Sequence, residues 1–527
     1  MPQPKPAPRL FVPHRRPAFL AAAVSGWLCL CAPALQAAGK SPGQWYNEGA
    51  DAARQSALLK PNRHRARNVI LFIGDGMGVS TVTAARILQG QQRGEPGEEN
   101  LLSFERFPWL ALSKTYNTNQ QTPDSAGTMS AIMTGEKTRA GTIALDTDAR
   151  RSDCAGADGH ALQTLLEQAE TQNRSTGIVT TARLTHATPA ATYAHGPERD
   201  WEGDSEMPRN ALDRGCEDFA AQLIGFRYGD GPEVAMGGGR RYFLPESATD
   251  PESPQDRGTR KDGRDLTAEW LATRHDAAYV WNQQQLDALD LTHTQHLLGL
   301  FAPSHMQYEA DRDRDAGGEP SLSEMTARAI EILRRNRRGY FLMVEAGRID
   351  HAHHAGNAYR ALTDAIELSR AVSTARAMTS TDDTLIIVTA DHSHVFTLAG
   401  YPTRGNPILG KVIGNDEHGD PDSKPALAAD GKPYTTLGYQ NGAGYSFNKE
   451  KVLGDKRRKP VAGRGQDLSR VDTADPRFHQ QSLVPLESET HGGEDVAVYA
   501  DGPGAHLVHG VMEQHVLYHI MRQAMGL

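Results

Sequence analysis

"GYFLMVEAGRIDHAHH", residues 339–354, is an apolar run that ends in acids and histidines. Its first half is β-rich without polar alternation, the pattern of a strand buried on both faces of a parallel sheet. Its second half sets Glu345 at the strand end and Asp350 four residues before His354. On a helix that spacing puts a carboxylate and an imidazole on one face. Three other runs read the same way: "NVILFIGDG" from Asn68, "TGIVTTARLTH" from Thr176 and "DTLIIVTADHSH" from Asp383. Helical patterns lie between them, from His160, Ser321 and Asn357. The alternation predicts an α/β fold, a doubly wound, largely parallel central sheet with helices on both faces. Ligands of such sheets bind outside the carboxyl ends of the strands, so the acids and histidines that follow the strands should converge. From about Val395 to Pro485 the texture turns to Gly, Pro, Asn and Asp. Residues 395–485 therefore read as an inserted lobe rather than sheet, dividing a core of residues 38–394 and 486–527.

Composition sets the bounds. A chain of 527 residues can bury a large core, in one big domain or two. With 38% apolar residues and a net charge of −9 it is an ordinary soluble composition in which nucleic-acid binding is not expected. The first 37 residues stand apart: Lys5, Arg9, Arg15 and Arg16 precede an apolar run from Ala18 to Leu30, and "CAPALQAAG" follows. This reads as a secretory signal cleaved near Ala37, with export to the periplasm or medium. A membrane anchor is the competing reading, and Gly26, Trp27, Pro33 and the shortness of the run count against it. Arg15-Arg16 hints weakly at a twin-arginine signal. Losing four basic residues would take the charge from −9 to −13. The chain ends in a mixed helix-like run without a hydrophobic tail for a lipid anchor. Outside the signal two cysteines remain, Cys154 and Cys216; in an exported chain they suggest one disulfide, with two free buried thiols as the alternative.

The chemistry gathers at the strand ends. Asp75 sits between glycines after the first strand, where turn formation and function are equally good readings. Asp391 and His392 follow another strand, and His491 lies in the glycine turn "ETHGGEDV". Each alone could be a satisfied core polar group; together they are carboxylates mixed with imidazoles and without thiolates, which fits zinc at a catalytic site. There are ligands for more than one ion, and paired metals suit displacement at phosphorus. "TPDSAG", residues 122–127, reads locally as a helix start capped by Asp124 or Ser125, and against that stands a nucleophilic role for Ser125.

Taken together, "PDSAGT", "THATPAATYAH", "GRIDHAHH", "TADHSHVFTLAGYPTRG", "ETHGGEDVAVYA" and "AHLVHGVMEQ" resemble the alkaline phosphatases, in wording nearer the animal forms than the best-known bacterial ones. The resemblance runs from about Asn68 to the C-terminus. It implies a phosphomonoesterase with two zinc ions and one magnesium ion, active at alkaline pH. Ser125 matches the serine that becomes phosphorylated, and Arg199 the arginine that grips phosphate. Asp350, His354 and His491 match the ligands of the first zinc; Asp75, Asp391 and His392 those of the second. Asp75 also reaches the magnesium site, completed by Thr188 and Glu345. Asp124 matches the residue that orients Arg199. The resemblance gives supporting roles to His186, at the magnesium site, to His351, near phosphate, and to His394, beside the second zinc, while His353 reads as a plain surface or core histidine. It supports the Cys154–Cys216 pairing, likens the inserted lobe to a crown at a dimer interface, and likens residues 45–59 to an arm that reaches a partner subunit, so a homodimer is expected. One departure concerns the calcium site of the animal forms. Glu252, the Phe301 carbonyl and Glu319 are its remnants, but Ala302 stands where a carboxylate belongs, so a working calcium site is not expected. Two rival functions share the motifs in part: a phosphodiesterase or sulfatase of the same superfamily, and a secreted, metal-stabilised phosphate-binding protein without catalysis.

Overall fold

The computed structural model describes residues 41–444 and 467–527; the expected signal segment and part of the inserted lobe lie outside the described residues. Along the chain come β1 (Asn68–Gly74), β2 (Trp109–Lys114), β3 (Ser175–Arg183), β4 (Val234–Gly238), β5 (Ala277–Val280), β6 (His296–Leu300), β7 (Tyr340–Ala346) and β8 (Thr384–Thr389). Then follow β9 (Ser393–His394), β10 (Phe396–Leu398), β11 (Leu437–Gly442), β12 (Ser482–Pro485), β13 (His491–Gly492), β14 (Val496–Asp501) and β15 (Gly510–Glu513). Ten of these form one sheet in the order β15-β2-β14-β8-β1-β7-β3-β4-β6-β5. All neighbours run parallel except β14, which is antiparallel to both β8 and β2. The four strands expected from sequence are β1, β3, β7 and β8, and they are neighbours at the centre.

Sequence explains the placement. All seven residues of β1 and of β7 are buried, as a strand covered on both faces requires. Successive side chains go to opposite faces. Ile70 and Phe72 join one apolar core, with the helices Val79–Gln92, Leu322–Leu333 and Ala358–Met378. Val69, Leu71 and Ile73 join the other, with the helices Ser125–Thr134, Ala187–Tyr193 and Val516–Met525. The closing run "VMEQHVLYHIMRQAMGL" divides into part of β15 and the last of these helices.

The lobe differs from the expectation in one respect. Among its described residues β10, β11 and β12 form a small three-stranded sheet, antiparallel then parallel, separate from the large one. Two of its strands, β10 and β12, are only three and four residues long, too short to show the alternation that marks a strand, and β11 is interrupted by Gly438. The helix Pro42–Ala57 starts in a capping box made by Ser41 and Gln44, yet none of its residues is buried. Among the described residues no helix is long and apolar enough to cross a membrane.

Register brings the site together. Ile73 of β1 lies level with Glu345 of β7 and with Thr389 of β8. Asp75 and Asp391 each follow two residues later, so three carboxylates leave three adjacent strands at nearly one height.

Cys154 and Cys216 are joined in a disulfide spanning 62 positions of sequence. In the chain-entropy model a loop of that length is worth about 4 kcal/mol. Replacing Cys154 with Ser is expected to lower the thermal midpoint by several degrees and to remove its sensitivity to reductant, read by a melting curve with and without a thiol.

Candidate active site and metal centre

Ser125 opens the helix Ser125–Thr134, all ten residues of which are buried. Asp124 is the N-cap: its Oδ1 accepts from the Gly127 N–H at 3.1 Å. Asn117 Nδ2 donates to the same oxygen at 2.9 Å. Asp124 Oδ2 accepts from the Gly141 N–H at 2.9 Å and from Arg199 Nη1 at 3.1 Å. So one carboxylate both caps the helix and holds the guanidinium. Burial alone would lower the Arg199 pKa, but Asp124 outweighs it and the group stays charged. Ser125 Oγ lies 3.0 Å from His392 Nε2.

Around the serine, acceptors face acceptors. His354 Nδ1 lies 2.7 Å from the Glu489 carbonyl, and His491 Nδ1 lies 2.8 Å from the Pro123 carbonyl. A carbonyl only accepts, so in each neutral ring the proton is on Nδ1 and Nε2 presents a bare lone pair. Those two Nε2 atoms are 3.1 Å apart, and each is 3.3 Å from Asp350 Oδ1. Three acceptors this close need a cation between them. A second group consists of Asp75, Asp391 and His392, all fully buried. His392 Nε2 lies 3.4 Å from Asp75 Oδ1 and 3.3 Å from Asp391 Oδ2. Both oxygens of Asp75 are buried without a hydrogen-bond partner. A third group joins Asp75, Glu345 and His186. Thr188 Oγ1, Glu345 Oε1 and His186 Nδ1 are likewise buried and unpartnered, while Thr180 donates to the other oxygen of Glu345. Orphaned buried oxygens cost about 1–3 kcal/mol each, more when charged, so the chain fits metal ions here.

Electrostatics agree. Burial, then the neighbouring carboxylates, push Asp75 well above the usual range. Burial pushes Glu345 up to about 8 and raises Asp391. Burial would raise Asp350 too, but the His354, His394 and His491 rings outweigh it and hold it well below. Desolvation keeps His392, His354, His186 and His351 neutral, the form that binds metal.

The supporting residues are partly rearranged. His394 lies near His392 of the second group, at 5.7 Å between ring centres, but its hydrogen bonds go elsewhere: its Nε2 is 2.7 Å from Asp350 Oδ1 and its Nδ1 is 2.6 Å from Glu489 Oε2. It therefore steadies a residue of the first group. The sequence places it three residues after Asp391, but the β9–β13 pairing turns it toward Asp350. Only a glycine fits opposite it: Gly76 has φ +68°, and a Cβ there would meet His394 at 2.3 Å. His351 accepts from Arg348 Nη1 at 3.1 Å. His353 is a buried core histidine held between Thr81 Oγ1 and the Tyr439 hydroxyl. Of the calcium remnants, Glu252 is taken by Arg240 Nη2 at 2.8 Å. Glu319 keeps one oxygen on the Gln307 N–H and the other buried without a partner. Phe301 is buried beside Ala302. Neither glutamate joins a metal-capable group among the described residues.

Sequence reasoning missed four contributors. Glu489 lies in the quoted "ETHGGEDV" but was overshadowed by the histidine two positions on. Gln514 donates to the Asp391 carbonyl at 2.6 Å, and Thr128 Oγ1 to Asp391 Oδ2 at 3.3 Å. His305 packs on His351 at 4.0 Å between ring centres and on His186 at 5.3 Å. It follows no strand end directly, so no positional signal marks it.

A family model described as alkaline phosphatase matches residues 66–527. The chain belongs to the alkaline phosphatase family. It is 47% identical over 494 residues to the tissue-nonspecific alkaline phosphatase isozyme of Gallus gallus, covering 92% of this chain and 89% of that one. It is 47% identical over 485 residues to the alkaline phosphatase of Gadus morhua, covering 91% and 95%. Among solved structures, Thermus thermophilus alkaline phosphatase superposes with a TM-score of 0.60 at 26% identity, over 90% of this chain and 95% of that chain. A TAB5 alkaline phosphatase mutant with Mg bound in its M3 site shares the fold, at a TM-score of 0.58 and 21% identity over 88% and 99%. This alkaline phosphatase is thus a phosphomonoester hydrolase on an α/β scaffold.

Two outcomes follow from the geometry. In chelated protein, Glu345 (ordinary value 4.5, here about 8) is protonated when folded and ionised when unfolded. His394 (ordinary value 6.5, here about 10) is charged when folded and neutral when unfolded. Both shifts mean that stability is lost as pH rises through 7 to 8. The melting temperature of the chelated protein should therefore fall across that window, and zinc plus magnesium should restore it most at the upper end. Separately, Glu489→Ala removes the brace of His394. We expect about 10- to 100-fold weaker metal retention, measured by competition with a chelator.

Proposed function

We propose that the chain hydrolyses phosphomonoesters through a phosphoserine on Ser125, with two zinc ions and one magnesium ion. The reading rests on one observation above all: Ser125 begins a buried helix beside the acceptor clusters, while its neighbour Asp124 holds Arg199. Asp350, His354 and His491 would hold the first zinc, and Asp75, Asp391 and His392 the second. The oxygens of Asp75, Thr188 and Glu345 suit magnesium. Bound there, the ions supply Lewis acidity that favours ionised hydroxyls and offsets phosphoryl charge.

The chain's own residues do the rest. Ser125 Oγ attacks phosphorus in line, the new O–P bond forming as the ester O–P bond breaks, and water later cleaves the phosphoserine. Arg199 commits Nη1 to Asp124 and keeps its other N–H donors for two non-bridging oxygens, a fork that lysine lacks. The free N–H groups at the helix start face the same charge. Because the hydroxyls involved ionise as pH rises, activity should be greatest at alkaline pH.

The wider reading is that residues 1–37 direct export to the periplasm or medium and are removed, and that the mature chain works as a homodimer. The helix Pro42–Ala57 supports the second point, since a well-capped helix with no buried residue in one subunit suits a partner. No calcium requirement is proposed.

Replacing Ser125 with Ala should cut turnover of an aryl phosphate by roughly three orders of magnitude or more, with metal content unchanged. Acid-quenched wild-type protein should carry labelled phosphate on serine, and the variant none. Near-normal turnover by the variant would exclude the covalent step. Faster cleavage of a diester or sulfate ester than of the monoester would favour the sister chemistries.

A further inference from the structure

Arg199 stands on a loop that follows the helix Ala187–Tyr193. A second loop, residues 141–152, holds the first in place, and the two are laced together position by position. Gly196 exchanges both backbone hydrogen bonds with Ile143, at 2.8 and 3.0 Å. The Pro197 carbonyl accepts from the Ser152 N–H at 2.8 Å. The Glu198 carboxylate accepts from the side chains of Arg151 and Ser152. The Arg199 N–H donates to the Gly141 carbonyl at 2.9 Å. Four consecutive residues thus each have a partner in one short loop, and the disulfide of Cys154 ties that loop down two residues further on.

Gly141 is the link on which the guanidinium depends. Its carbonyl takes the Arg199 N–H, and its own N–H goes to Asp124 Oδ2, the oxygen that also accepts from Arg199 Nη1. Both ends of Arg199, backbone and guanidinium, are therefore referred to this one glycine. It has φ +78°, and a Cβ there would meet Arg151 Nε at 2.5 Å, so the Arg151 side chain lies directly across it. From there Arg151 continues to Glu198. Nε is 2.9 Å from Oε2 and Nη2 is 2.6 Å from Oε1, a two-pronged contact that fixes direction as well as distance. Ser152 donates its hydroxyl to the same carboxylate from a backbone at φ +61°, a region that favours glycine and that other residues occupy at a cost. Glu198 is buried, and burial would raise its pKa, but the donors from Arg151 and Ser152 outweigh it and keep it below the usual range. The one charged side-chain contact in the lacing thus sits at the residue next to Arg199 and covers the glycine that Arg199 is measured from.

We infer that Arg151 and Glu198 form a brace that positions Arg199 for phosphate, acting through Arg199 and not on the phosphoryl group itself. The inference rests on the reading of Arg199 as the phosphate clamp and adds two positioning residues to it. Its test is a double-mutant cycle in the purified full chain with its metals: wild type, Arg151→Ala, Arg199→Ala and the variant carrying both. The quantities read are the inhibition constant of inorganic phosphate and kcat/KM for an aryl phosphate, with zinc and magnesium content measured alongside. Arg151→Ala should weaken phosphate about tenfold and lower kcat/KM by a similar factor, with metal content unchanged. In the Arg199→Ala background the same change should alter both by less than about twofold, because the brace has nothing left to position. Glu198→Gln keeps the shape of the side chain and loses its charge; it should follow the same pattern with a smaller effect, and it decides the matter, with its own Arg199→Ala double variant, if Arg151→Ala does not fold. Phosphate affinity within about twofold of wild type in the deciding variant, or an undiminished effect without Arg199, overturns the brace and leaves the clamp intact. Wild-type phosphate affinity in Arg199→Ala alone overturns the clamp reading and the brace with it.

Discussion

Four carboxylates, Asp75, Glu345, Asp350 and Asp391, are buried together at one end of the sheet, and the structure depends on what offsets their charge. Taking a single carboxylate into a dry interior has an idealised cost of order 20 kcal/mol, and several kcal/mol remain after relaxation. Among the described residues no lysine or arginine is paired with Asp75 or Asp391. His394 gives a proton to Asp350, but burial keeps His392 and His186, the rings beside Asp75, Asp391 and Glu345, neutral. Divalent ions bound there would supply the missing charge, which would make the site part of the fold's stability as well as its chemistry. The same arrangement explains why the ligands hang on the central strands. Only in-register parallel strands with fully apolar bodies can deliver several acids to one level without polar groups along the way.

Much of this was legible in the sequence, and the reasons are specific. β1, β3, β7 and β8 are continuous apolar runs because both of their faces are covered, and such runs stand out. The strands flanking them were harder. β2 alternates buried and exposed residues and begins with Trp109, while β5 is only four residues long and half-buried. β14 is antiparallel, which neither length nor composition reveals. The residues that follow strong strands were found. Those that act from elsewhere, Glu489, Gln514 and His305, were not, since their neighbours carry no periodic signal. His394 shows the limit most clearly. Counting along the chain joins it to Asp391, but a two-residue pairing with His491 turns it toward Asp350.

Asp124 shows how economically the site is built. A cap and a guanidinium anchor are different tasks, usually given to different residues. Here the two oxygens of one side chain divide them, with Asn117 and the Gly141 N–H fixing the plane. The direction of the serine helix and the direction of Arg199 are thereby linked. The positions of Ser125 and Arg199, the proposed nucleophile and phosphate clamp, are thus tied through one carboxylate.

The antiparallel strand β14 has a consequence for the order of events in a growing chain. It lies between β8 and β2, so β2, made from residues 109–114, has no place in the sheet until residues 496–501 have emerged. His491 comes only just before them. A nascent chain that has delivered Asp75, Asp391 and His392 still lacks the third member of the other cluster and the strand that closes the sheet. Domains generally fold as units, and this one closes late: without residues 491–501 neither the sheet nor the His491-containing acceptor cluster is assembled.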